Sequence, residues 1–140
     1  MKVRPWAEFN STLPDDHIDD GEQIIQFGGK SVAAAVGEIL RSLGCDAEPP
    51  KYAGDHGWEF DIKAEERRFW CQVTLIEGYL MVLDNPSWWD RVLGRRPRVY
   101  LDLLQRLAQE LARDPRFSEV RWFAPDEVMT GAPGSPTPVG

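Results

Sequence analysis

Residues 57–85 read GWEFDIKAEERRFWCQVTLIEGYLMVLDN, and apolar and polar side chains alternate with a strict period of two through Trp58-Glu59-Phe60-Asp61-Ile62-Lys63. That period places Trp58, Phe60 and Ile62 on one face of a strand. An even-length turn around Ala64-Glu65-Glu66-Arg67 sets Ile62 across from Phe69 and Phe60 across from Cys71. A two-residue turn at Glu77-Gly78 then sets Leu75 across from Leu80 and Val73 across from Val82. The predicted meander thus sends Trp58, Phe60, Ile62, Phe69, Cys71, Val73, Leu75, Leu80 and Val82 inward. A slip of one residue would reverse the assignment.

The opposite face carries Glu59, Asp61, Lys63, Trp70, Gln72, Thr74, Ile76, Tyr79, Met81 and Leu83. This is more apolar area than a solvated sheet face normally shows. One explanation is a second layer supplied by the N-terminal arm or the C-terminal segment. The other is a ligand groove or a partner surface in which Trp70 and Tyr79 are rigid anchors and Glu59 and Asp61 form an acidic edge.

Upstream of the meander, residues 1–21 are polar and acidic, carry Pro5 and Pro14, and read as an arm of uncertain order. Glu22 to Phe27 is a short β-like run. Ser31 to Leu43 places Val32, Ala35, Val36, Ile39, Leu40 and Leu43 on one helical stripe, and Gly44 ends it as a C-terminal cap would. The stretch around Pro49-Pro50 reads as an extended connection or an irregular edge strand.

Downstream, Ser87 is placed to cap a short helical turn through Trp88, Trp89, Val92 and Leu93. From Pro97 to about Arg113, Tyr100, Leu103, Leu104, Leu107 and Leu111 recur at helical spacing, and Asp114-Pro115 closes the helix. Ser118 to Phe123 is a final strand with Val120 and Trp122 on one side, and residues 130–140 have the composition of a disordered tail. The order βαβββαβ predicts an α+β two-layer sandwich with both helices on one face of the meander, a single domain spanning 22–129.

At 140 residues and 42% hydrophobic composition, the chain is long enough for one packed core. No apolar run approaches the roughly 20 residues of a membrane helix, and no signal-peptide core is evident, so a soluble cytoplasmic protein is expected. The net charge of −7 disfavours a general grip on nucleic acid. Its distribution is uneven: residues 1–22 hold Glu8, Asp15, Asp16, Asp19, Asp20 and Glu22 against Lys2 and Arg4, whereas Arg91, Arg95, Arg96, Arg98 and Arg106 make the later helical region basic. Cys45 and Cys71, without CxxC spacing, are expected as free thiols.

Candidate chemistry fails on spacing. Phe27-Gly28-Gly29-Lys30-Ser31 is similar to a phosphate-binding loop but has Ile24 where its first glycine belongs. Gly29-Lys30-Ser31-Val32-Ala33 misses the last glycine of a nucleophile elbow. Asp15 to Glu22 has calcium-loop composition, but Ile18 and Phe27 fall where oxygen ligands should be. The two histidines and two cysteines give no ligand-pair spacing, so no metal or cofactor is expected. His56 beside Asp55 and Asp61 could form an acid–base pair, but Asp-His-Gly is ordinary turn chemistry.

The expected function is therefore a non-catalytic protein-binding module, a homodimer or a small acidic adaptor or inhibitor of the immunity-protein type. Its contacts would be Trp70, Tyr79, Met81, Glu59 and Asp61 on the outer sheet face, with Trp89, Arg95 and Arg96 as a second group of hot-spot composition. The alternative is a small-molecule ligand site or small enzyme with its pocket over Trp70, Tyr79 and Met81 and His56 at the rim.

Overall fold

The computed structural model describes residues 2–140. The elements are β1 (Trp6–Ser11), β2 (Ile18–Asp19), β3 (Ile24–Gln26), α1 (Lys30–Ser42), β4 (Asp46–Ala47), β5 (Lys51–Tyr52), a 3₁₀ turn (Gly54–His56), β6 (Trp58–Ala64), β7 (Arg67–Leu75), β8 (Tyr79–Asp84), α2 (Trp88–Val92), α3 (Arg98–Arg113) and β9 (Phe117–Phe123). They form an antiparallel sheet in the order β4-β6-β7-β8-β1-β9, with β5 also pairing along β6. β2 and β3 make a separate small hairpin. The architecture is a two-layer α+β sandwich, as the element pattern predicts.

Both long helices cover the same side of the sheet. α1 buries Val32, Ala35, Val36, Ile39 and Leu40, and α3 buries Tyr100, Leu103, Leu104, Leu107 and Leu111, all in one core with Phe60, Ile62, Phe69, Cys71 and Val73. Each fully buried leucine there contributes about 1.5–3 kcal/mol of transfer free energy. Tyr100 stacks on Phe69 at 5.6 Å between centroids, and its hydroxyl donates to the Leu83 carbonyl at 2.6 Å, which satisfies the polar tip of an otherwise apolar contact.

The first hairpin has the predicted register: Ala64 pairs with Arg67, Ile62 with Phe69 and Phe60 with Cys71. Its turn residues Glu65 and Glu66 have φ of 49° and 67°, the left-handed values a two-residue turn needs at both positions. The second hairpin does not follow the prediction. Its loop is Ile76-Glu77-Gly78, three residues rather than two, so Leu75 pairs with Tyr79, Val73 with Met81 and Cys71 with Leu83. That shift turns Tyr79, Met81 and Leu83 toward the helices and Leu80 and Val82 away from them. β8 is apolar at every position from Tyr79 to Leu83, so alternation alone leaves its register open; the observed one buries the larger set.

The N-terminal segment is not a covering arm. Trp6–Ser11 enters the sheet between β8 and β9, with Ala7 and Phe9 facing the core and Trp6 and Glu8 on the open face. The C-terminal residues, disordered by composition, pair with the sheet edge: Trp122 and Ser135 exchange two backbone hydrogen bonds of 2.7 and 2.8 Å, and Arg4 donates to the Pro138 carbonyl at 2.7 Å. Gly134, at φ +74°, lies so close to Phe123 and Arg121 that a Cβ would overlap them, and this segment covers Phe123 on the open face. No helix among the described residues is long and apolar enough to cross a membrane.

Candidate functional site

The outer-face site expected from the alternation is not assembled. Tyr79 and Met81 are core residues on the helix side, and Trp70 is half-buried on the other, so the sheet itself separates the three. Asp61 stands exposed opposite Trp70 and Glu59 half-exposed opposite Gln72. His56 lies near the far end of β7, where its carbonyl accepts from the Thr74 hydroxyl, and it therefore does not rim Trp70. Across the open face, Val82 and Phe123 are buried while Trp6, Trp70 and Leu80 are partly so. At the Tyr79 end of that face an open groove of about 460 Å³ runs past Glu8, Ile76, Leu80, Glu119, Arg121 and Met129.

The phosphate-loop reading also meets a physical obstacle. The amide of Ser31 at the start of α1 donates to the Asp16 carboxylate at 2.6 Å, so the chain's own anion occupies the helix N-terminus. Asp20 accepts from the amides of Gln23 and Glu22, which hold its carboxyl below the usual carboxylate range, and Asp19 accepts from Gly21. These acidic groups thus order their own loop. No cluster of three or more potential metal ligands occurs among the described residues. Burial pushes both thiols up, that of Cys71 the further.

The second group of predicted contacts has a defined geometry. At the end of the sheet where β6 finishes and β7 begins, α2 displays Trp88 and Trp89, 63% and 62% exposed, with their rings edge to face at 4.8 Å. Val92 and Leu93 lie three to five positions on, so helical spacing sets them beside the tryptophans, and both are more than half exposed. Four large apolar side chains, each more than half exposed, within residues 88–93 are unusual for a solvated turn. Arg67 and Arg95, both on Asp90, and Arg91, on Asp84, are exposed beside α2, and Arg96 and Arg98 are exposed on the segment that follows it.

Asp90 holds this tip to the body of the protein. It is 3% exposed, the only buried charged residue among those described. Its Oδ2 accepts from Asn85 Nδ2 and Arg67 Nη1, each at 3.1 Å, and its Oδ1 lies 3.3 Å from Arg95 Nε. Its amide donates to Ser87 Oγ at 3.3 Å, the N-cap bond of α2. The Asn85 hydrogen bond first, with help from Arg67, Ser87 and Arg95, holds the Asp90 carboxyl below the usual range. Arg91 Nη2 reaches Asp84 at 3.0 Å and ties the other side of α2 to the end of β8.

Trp89, Arg95 and Arg96 are therefore brought to one surface, while Trp70, Glu59 and Asp61 lie on another and Tyr79 and Met81 on neither. Sequence reasoning does not reach Asp90, Asn85 and Arg67. A signal for Asp90 exists: Ser87-Trp88-Trp89-Asp90 has capping-box spacing, a serine with an acid three residues later. No protein-family model, curated protein or solved structure matches the chain.

Proposed function

We propose that the protein is a non-catalytic recognition module that binds a protein partner through the α2 tip, with Trp88, Trp89, Val92 and Leu93 as the apolar centre and Arg67, Arg91, Arg95, Arg96 and Arg98 as the rim. The observation that carries this reading is the exposure of two adjacent tryptophans on a turn fixed by a buried carboxylate. A solvated turn gains nothing from tryptophan. A contact surface gains large rigid area at small entropic cost, and arginine beside it supplies charge-assisted hydrogen bonds. The buried Asp90 keeps the platform in one geometry before the partner arrives, which lowers the ordering cost of association.

The test is site-specific photo-crosslinking in the cells that make the protein, with the reactive side chain placed at position 89, at position 70 on the open sheet face, or at the exposed position 113. Discrete protein adducts from position 89 alone support the tip. Adducts from position 70 in their place would move recognition to the open face, and none from either would defeat the reading.

A further inference from the structure

The two ends of the sheet carry opposite surfaces. α2 sits by Arg67 at the start of β7; at the finish of that strand, Leu75 lies against Gly28, directly after the β2–β3 hairpin. Nine residues of strand separate them, about 30 Å. The hairpin end is acidic and apolar together: Asp15, Asp16, Asp19, Asp20 and Glu22 lie in residues 15–22, which contain no lysine or arginine. Ile18, Ile24 and Ile25 on the same hairpin are 48%, 46% and 57% exposed. β2 is only two residues long and β3 three, so these isoleucines are exposed on a projecting ribbon rather than on a packed sheet.

Each end therefore lacks what the other offers. The tip presents exposed aromatic and aliphatic side chains beside exposed arginines, of which Arg67 and Arg95 share Asp90 and Arg91 reaches Asp84, and the hairpin presents exposed aliphatic side chains among carboxylates that also accept from backbone amides. Apolar area on both sides, with opposite charge around it, is the complementarity of a heterologous interface. A partner that is simply acidic would leave the tryptophans wet, and a second tip would set arginine against arginine.

We infer that the tip's partner is a second copy of this chain, whose β2–β3 hairpin docks on Trp88, Trp89, Val92 and Leu93, so that copies associate head to tail. This rests on the reading of the tip as a protein-contact surface. Because donor and acceptor surfaces lie at opposite ends of each copy, one contact leaves both outer ends free, and association proceeds beyond the dimer. The elements involved are small, so the contact belongs with weak, transient interfaces and is concentration-dependent. The net charge of −7 opposes association in every orientation, which adds to the weakness of the contact.

The experiment uses purified full-length chain in sedimentation velocity over a wide concentration range. Wild type is expected to show a weight-average mass that climbs past that of a dimer. Trp89→Glu and, separately, the pair Ile24→Lys with Ile25→Lys are each expected to stay monomeric, with unchanged circular dichroism because all three positions are exposed. The decisive measurement mixes the two variants: each keeps the one surface the other has lost, so the mixture is expected to form a one-to-one dimer that grows no further. A wild type that is monomeric throughout overturns the inference, as does a hairpin variant that associates like wild type. A mixture that stays monomeric while wild type dimerises would indicate a symmetric interface and overturns it too. Tip-dependent binding to anionic lipid vesicles without self-association would assign the tip to a lipid surface and also overturns it. Crosslinks from position 89 to other proteins, with no self-association, would sink this inference and leave the functional reading standing.

Discussion

Trp122 and the Trp88–Trp89 pair put the same side chain in opposite circumstances. Trp122 is fully buried under α3 on a strand whose backbone is bonded on both sides, by β1 and by the Ser135 segment. Trp88 and Trp89 are largely exposed on a five-residue helix held by side-chain bonds to Asp90. The first tryptophan is explained by the fold it stabilises. The second pair packs mainly ring against ring and leaves most of its surface to solvent, which is what the proposed contact surface would use.

The comparison can be broken at its strongest point. Trp122→Ala removes a fully buried aromatic and should cost about 3–5 kcal/mol in denaturant-induced unfolding. A cost below about 1 kcal/mol would show that the core does not depend on it. Gly57→Ala tests the sheet side without touching an apolar group: Gly57 has φ of 85°, and a Cβ there would overlap the Val73 carbonyl. A loss of about 1–3 kcal/mol is expected from chemical denaturation, and a neutral result would mean that the turn can move away from β7.

At the tip, Asp90→Asn leaves Arg67 and Arg95 without their carboxylate. Amide exchange over residues 86–96 should accelerate while the exchange of β7 and α3 changes little; uniform acceleration would mean that α2 is part of the global core. The same lock gives a pH dependence. Because the folded-state pKa of Asp90 lies below its ordinary value of 3.8, the ionised lock contributes in full above that value and is lost as pH falls through the folded pKa. Local protection of α2 should therefore be flat from neutrality down to about pH 4 and fall with further acidification.

The smallest effect on stability is expected where the effect on association is greatest. Trp88→Ala and Trp89→Ala should each change unfolding free energy by no more than about 0.5 kcal/mol while abolishing partner contact in crosslinking. A loss near that of Trp122→Ala would make the pair structural and remove the contrast.

The fold is legible in the sequence wherever the residues leave a single choice. In β6, Glu59, Asp61 and Lys63 alternate with Trp58, Phe60 and Ile62, so only one register buries the apolar set, and the β6–β7 pairing is as predicted. In β8, Tyr79 to Leu83 are apolar without interruption, so the loop length decides the faces, and a third loop residue sends Tyr79 and Met81 into the core. β1 escapes a reading by periodicity because Ala7 is a small residue whose burial leaves little periodic signal, and because Asp15, Asp16, Asp19 and Asp20 give the N-terminal region the composition of a solvated arm. The tail resembles a disordered segment because glycine and proline also suit an edge that passes close over Phe123. Adjacent tryptophans on so short a helix cannot both face the core, so Trp89 beside Arg95 and Arg96 is legible as a surface group; that Trp88 is exposed with it is not, since tryptophan is buried in most settings.

The place of β1 between β8 and β9 also constrains synthesis. Trp6 pairs with Val82 and with Phe123, so the strand is made before both of its neighbours and pairs with neither until residues 79–84 and 117–123 follow. Such distant pairings close slowly, and until they do Ala7, Phe9 and the free edge of β8 are available to other chains. Polypeptides that stop short of residue 117 would keep β1 open along one side, which makes truncated products, rather than the finished protein, the species most prone to aggregate.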